Sequence, residues 1–427
     1  MPDQPARRSL KGLVRSTEID TRMLGMLALL LVIWVGFHFL SGGTFLTPRN
    51  MWNLTVQTSV VAIMATGMVL VIVSRNIDLS VGSMLGFIGM FVALLQQEWL
   101  PQWVGFDQWY TWIVALAAAL LLGAIVGSLQ GAVVAYAAVP SFIVTLGGLL
   151  VWRGLAWVMA SGRTIAPMDS TFQLLGGGAR GNVGGTVSWI IAGVACVAIV
   201  LLLASRRRTR LKFGFRVRPM WADIGLMIFG CAAVLFAVWF LNRNFMPEGL
   251  AMAYAERNGI DWPPEGLNIS FGLANPVLIA IGTAIVVSFI ATRRRFGRYV
   301  FSIGGNPEAA ALAGIKTKRT IVMTFMLMGT LVGLAAAVQV ARLNSATSGL
   351  GTLQELYVIA AAVIGGTSLA GGVGSIFGAV LGALVMQSLQ SGMVFVGIQT
   401  ALQDVVIGGV LVMAVAVDVF YRRRSER

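Results

Sequence analysis

The chain has 427 residues, of which 57% are apolar and only 11% charged, and its formal net charge is +14. Soluble domains run at about 45–50% apolar and about 25% charged, so this composition excludes a water-soluble globular protein and places the chain in a bilayer. The basic excess would suit a nucleic-acid surface, but it is gathered in clusters between apolar runs, which is how membrane topology is written.

Apolar runs near the ~20 residues that cross the hydrocarbon occupy 23–40, 56–73, 81–95, 112–136, 142–160, 187–204, 221–241, 273–291, 321–341, 357–369, 376–396 and 402–420. They predict about twelve transmembrane helices, the tenth too short for an ordinary span. The first run follows a basic leader but is too long for the apolar core of a cleaved signal peptide, so it is expected to be retained. Basic residues cluster before that run, in 206–218, in 293–319 and after Tyr421. Alternating spans put all of these on one side, the cytoplasm by the positive-inside rule, with both termini there. Glu98, Asp107, Asp169, Glu248, Glu256, Asp261 and Glu265 fall in the opposite segments. Trp99, Trp103, Trp109 and Trp112 suit an aromatic belt at the outer interface. The expected plan is a basic N-terminus (1–22), a membrane domain (23–421) and a tail (422–427). The membrane domain carries a basic cytoplasmic loop (205–219), an ordered outer loop (242–271) and a cytoplasmic segment (297–319).

Chemistry is sparsely supplied. His38 is the only histidine, no Cys or His cluster has metal-ligand spacing, and no G-x-x-x-x-G-K-[ST] loop is present. ATP hydrolysis by this chain unaided is excluded, and no catalytic, metal or cofactor site is expected in it. Cys196 and Cys231 lie inside apolar runs and indicate no disulfide framework. Arg75, Asp78, Arg153, Asp404 and Asp418 lie at or inside apolar runs, where charge is costly and functional by default. Asp78, in SRNIDLSVGS, is expected to cap a helix that starts within the membrane; the alternative is contact with a solute. Arg153 either snorkels or pairs with a carboxylate. VGSMLG (81–86) is echoed by VGSIFG (373–378), and GAIVG (123–127) by GAVLG (378–382), a weak internal repeat. Repeated halves suit a transport path at their interface, whereas each GxxxG more simply lets two helices pack closely.

The most informative segment lies between the eighth and ninth apolar runs, in the cytoplasmic stretch 295–319. Asn306 is a good N-cap, Pro307 suits the first helical position, Glu308 complements the helix dipole, AAALA (309–313) favours helix, and Gly314 suits the stop. A helix of about two turns is too short to stand alone in water, so it is expected to dock on a partner.

NLTVQTSVVAIMATGMVLVIVSRNIDLSVGS (53–83), the Arg-Gly of LLVWRGLAWVMASGRTI (149–165), GRYVFSIGGNPEAAALAGI (297–315) and VIGGTSLAGGVGSIFGAVLGALV (363–385) carry a resemblance. They resemble the monosaccharide ABC importer permeases of the ribose, xylose and galactose type, over most of 50–418. The extra segment near 206–270 is similar to the xylose-type members. Where many members have Gly-Gly before IDLS, this chain has Arg75 and Asn76.

The resemblance implies an all-α polytopic permease with two related halves, like the type II ABC importers, N-in and C-in in the bacterial inner membrane. It implies two partners, a cytoplasmic ATP-binding subunit that holds ATP and Mg and a periplasmic sugar-binding protein, with no nucleic acid. A homodimer follows, because a pair of ATPases needs two coupling contacts and this chain has one NPEAAALAG element. Gly304, Gly305, Asn306, Pro307, Glu308, Ala309, Ala310 and Gly314 are implied as the ATPase-coupling helix. Asp78, Ser80, Gly82, Ser83, Arg153, Gly365, Gly366, Thr367, Ser368, Gly374 and Ser375 are implied at breaks near the translocation path. The expected solute is D-xylose, with another pentose, a hexose or a sugar alcohol as alternatives. Two rivals remain at this point: a proton-coupled secondary transporter using Asp78 or Asp404, which leaves the Asn306 helix without a purpose, and a non-transporting membrane scaffold.

Overall fold

The computed structural model describes residues 21–425 other than 179, 216, 258, 264 and 265. The basic leader 1–20, Glu265 and residues 426–427 lie outside the described residues, as does the side chain of Asp418. The described residues form helices joined by turns and isolated β-bridges. In chain order the helices are α1 (Thr21–Leu40), α2 (Pro48–Val73), α3 (Val81–Leu94, prolonged through a π turn to Val104), α4 (Thr111–Tyr136) and α5 (Ser141–Ala160). There follow α6 (Gly184–Lys212), α7 (Met220–Leu241), α8 (Glu248–Arg257), α9 (Asn275–Arg293), α10 (Arg295–Gly305) and α11 (Pro307–Leu312). The last are α12 (Thr317–Leu343), α13 (Gln354–Ile364), α14 (Ile376–Phe395) and α15 (Thr400–Ser425).

Ten helices among the described residues are long and apolar enough to cross a membrane, and two shorter apolar helices lie at Gln354–Ile364 and Thr400–Ala416. The tenth expected run is therefore α13, a helix of 11 residues. Contacts divide the chain into two compact units, Met1–Leu27 with Val183–Leu273, and Ala28–Asn182 with Ala274–Arg427.

In the larger unit α2 is the axis. Thr47 caps it by accepting the Asn50 N–H (3.4 Å), and Pro48 opens its first turn. From Val60 onward it is nearly apolar all round, and such a helix is stable only when enclosed; α9, α12, α13 and α14 pack against it. The long α4–α12 pair is held by glycine. A Cβ on Gly123 would stand 2.1 Å from the Gly329 carbonyl oxygen, and one on Gly127 would stand 2.2 Å from that of Phe325. The GxxxG at 123–127 is thus a packing device, since only glycine lets the two backbones touch. The GAVLG copy does the same work between α14 and α13: a Cβ on Gly378 would lie 2.0 Å from the Gly365 oxygen, and one on Gly382 2.1 Å from that of Ala361.

In the smaller unit α6 and α7 form an antiparallel pair. The expected basic loop 205–219 is mostly helix, because α6 continues through Arg206–Lys212 and only 213–219 connects. Cations in the last turns of a helix are favoured by its dipole. Arg207 Nη1 donates to the Arg218 carbonyl (2.9 Å) and pairs with Asp223 in the first turn of α7. The segment 242–271 contains α8 and closes on itself through Met246 N–H to Ile269 O (2.8 Å) and Phe271 N–H to Asn244 O (3.1 Å).

Candidate functional site

Within the larger unit three segments distant in sequence meet at one end. Gly304 and Gly305 end α10, whose buried face carries Gly297, Val300, Ile303 and Gly304 while Arg295, Arg298 and Tyr299 are exposed. That pattern is an amphipathic helix, of the kind that suits a membrane surface. The α2 terminus reaches it so closely that a Cβ on Gly304 would stand 1.8 Å from the Val73 oxygen. Arg75, in the left-handed region at φ 64°, donates from Nε to Gly304 O and from Nη2 to Gly305 O, both at 2.7 Å. Gly372 N–H donates to Val73 O (2.9 Å), adding the turn after α13 to the same knot.

From this knot projects α11. Asn306 accepts the Ala309 N–H (3.0 Å), Pro307 and Glu308 fill the first turn, and Ala310 is the residue of this short helix that is buried. Gly314 stops it at φ 82°, with Ile315 N–H closing on Ala310 O (3.1 Å). Leu312 is 91% exposed at the tip.

Deeper along the bundle lies the break before α3. Asp78 is buried and its Oδ1 accepts both the Ser80 N–H (2.9 Å) and the Ser80 hydroxyl (2.6 Å), while Gln130 donates to Ser80 Oγ (2.9 Å). Asp78 therefore closes a turn onto Ser80, the residue before α3, and does not cap the helix as expected, because the first turn of α3 receives no side-chain bond. Ser83 is buried one turn on and donates to Ser80 O (2.9 Å).

A second break faces the first. Ala346 pairs with Ile165 at the far end, after which the chain dips inward so that a Cβ on Gly82 would meet Gly351 O at 2.4 Å and Glu355 Oε2 at 2.0 Å. Arg153 fixes this re-entrant turn by donating from Nη1 to the Ser348 and Leu350 carbonyls, both at 2.9 Å, and its electrostatic partner is Glu355. Arg153 thus binds backbone carbonyls, with Glu355 acting on it electrostatically rather than as a bonded carboxylate.

The remaining predicted positions, Gly365, Gly366, Thr367, Ser368, Gly374 and Ser375, form the α13–α14 turn. Ser368 N–H bonds Val373 O (2.9 Å), Gly366 adopts φ 90°, and Ser375 caps α14 by accepting the Gly378 N–H (3.1 Å). The echoed motifs thus start two helices in different registers, since Ser83 sits inside α3 whereas Ser375 precedes α14.

The family model described as "Branched-chain amino acid transport system / permease component" matches residues 50–415. The chain belongs to this permease family. The permease is 37% identical over 407 residues to the xylose transport system permease protein XylH of Haemophilus influenzae, covering 95% of this chain and 98% of that protein. It is 36% identical over 408 residues to XylH of Escherichia coli K12, covering 96% and 94%. It is 32% identical over 374 residues to the ribose import permease protein RbsC of Escherichia coli K12, covering 88% and 87%. No solved structure matches it. The permease is a multi-pass membrane transporter subunit and not an enzyme.

The sequence pattern drew attention to charged, hydroxyl and glycine positions, and five glutamines were missed. Gln57, Gln339, Gln354, Gln387 and Gln390 sit inside or beside apolar helices and line a cavity at the end opposite α11. The signal was available as amides recurring within runs that should cross lipid, where each amide needs a partner.

Proposed function

We propose that this chain is the permease subunit of an ATP-driven importer that moves a monosaccharide, D-xylose, inward across a bacterial inner membrane. The observation that carries the proposal is the nearly end-to-end likeness to two proteins named as xylose permeases, which extends through the inserted unit 183–273. Sugar would arrive from a periplasmic binding protein, and a separate cytoplasmic subunit would hold ATP and Mg. Two copies of the permease would present two α11 helices to a pair of ATPases. ATP binding would close the ATPases on Leu312 and Ala309, and the motion would pass through Gly304 and Gly305 into the breaks at Asp78 and Gly372. The Arg75 bonds and the backbone contact at Gly304 support that route.

The test is uptake of labelled xylose by cells with and without the gene, with an arm in which an uncoupler is added while ATP is sustained. Uptake lost on deletion and resistant to the uncoupler is the expected result. Uptake intact in the deleted cells sinks the xylose assignment, and uptake that collapses with the proton gradient sinks the ATP-driven mechanism.

A further inference from the structure

At the end of the larger unit opposite α11, a cavity of about 400 Å³ opens between α2, α12, α13 and α14. It runs from Asn50 down to Val60 along α2, about 15 Å of helix rise. Its volume falls among small-molecule sites, roughly 300–1,000 Å³. Its lining is dominated by amides, with Arg342 as the charged side chain and no carboxylate.

The hydrogen-bond accounting of this lining is incomplete in a particular way. Gln387 Nε2 donates to Gln57 Oε1 (3.1 Å) and to Gln390 Oε1 (3.0 Å). Both of its N–H groups are thereby used, which leaves the Gln57 amide N–H and the Gln387 oxygen for a ligand. Arg342 Nε and Gln354 Oε1 are shielded from solvent and have no protein partner among the described residues. The cavity therefore presents donors and acceptors together, from four different helices, at the point where the re-entrant turn begins α13.

We propose that this cavity is a transit site for one neutral monosaccharide, held by Gln57, Arg342, Gln354 and Gln387. A sugar hydroxyl both donates and accepts, so a wall that alternates the two matches it, whereas a cation finds no carboxylate. Phe395 at the lining offers an apolar face to the C–H side of a pyranose ring. The inference rests on the sugar-importer reading and adds to it the place and the chemistry of the passage.

The experiment uses the full importer, with its ATPase and binding protein, in cells lacking the chromosomal permease gene. Initial uptake of labelled xylose is compared for the parent, Gln57→Leu, Gln387→Leu and the milder Gln57→Asn, each normalised to the permease present in the membrane. The Leu variants are expected to lose roughly tenfold or more in maximal rate, the effect of a lost polar contact. Gln57→Asn, which keeps the amide but withdraws it by one methylene, is expected to keep its membrane level and fall between them and the parent. Binding-protein affinity for the sugar is unaffected by construction, so it cannot produce these losses. Parent-like rates in the Leu variants at parental membrane levels overturn the transit site while leaving the importer reading standing. A parent that moves no monosaccharide overturns both. Competition by a sugar acid at concentrations where neutral sugars do not compete overturns the neutral ligand class.

Discussion

Arg75 stands in the left-handed region at φ 64° and ties two carbonyls of the segment that carries α11. Replacement by alanine removes both bonds and keeps the strained backbone, whereas glycine removes the bonds and relieves the strain. Because the side chain is exposed, each bond is taken at the lower end of the range, about 0.5–1 kcal/mol, so the pair contributes about 1–2 kcal/mol. A non-glycine residue in this region costs roughly 1–2 kcal/mol relative to glycine. Arg75→Ala is therefore expected to lower stability by about 1–2 kcal/mol, and Arg75→Gly to leave it near the parent. Thermal unfolding of the detergent-solubilised protein measures that difference. Coupling should not follow stability: both variants free Gly304 and Gly305 from the turn, so both should transport less sugar per ATP hydrolysed in proteoliposomes holding the whole importer. A glycine variant with parental coupling would refute the idea that Arg75 links α11 to the break, and an alanine variant as stable as the parent would refute the energetic account.

Four further outcomes are expected. Gly127→Ala drives a methyl to 2.2 Å from the Phe325 oxygen and should cost about 1–3 kcal/mol by overpacking, while Gly147→Ala, with open space around it, should be neutral; thermal unfolding of both checks the α4–α12 contact. Arg153→Met leaves the Ser348 and Leu350 carbonyls without their donor and Glu355 without its opposite charge, so the yield of folded protein should drop sharply, and adding Glu355→Gln should recover part of it. Asn306→Ala removes the α11 cap at a local cost of about 1 kcal/mol, and should reduce ATPase coupling without shifting global unfolding. A double-mutant cycle on Arg207 and Asp223 should return about 1–3 kcal/mol, more than an exposed ion pair, because Asp223 is largely buried and accepts a charged donor.

The local elements were legible because their signals are local. The caps at Asn306 and Gly314, the apolar runs and the basic clusters each act over a few residues, whereas Asp78 bonds Ser80 without capping the helix that follows. The basic stretch after Ala204 was misjudged as a loop because charge alone marks the membrane boundary but does not end a helix; Arg and Lys are good helix formers, and α6 runs on to Lys212. The internal echo of VGSxxG misled for a related reason. Identical short strings begin helices in either register, and the surrounding backbone chooses.

What the amino-acid order determines unaided is the class of the protein. More than half of the residues being apolar forces a bilayer, the positions of Arg and Lys order the spans, and the Asn306–Gly314 signals build a short helix that needs a partner. What only the tertiary structure decides is which distant groups meet. Arg75 finds its carbonyls 229 and 230 residues away, Gln387 finds Gln57 at 330, and Arg153 finds the turn at Ser348 across 195. Such pairings arise because a buried polar atom must be satisfied by whatever helix packing brings alongside it, and no local pattern records which helix that will be.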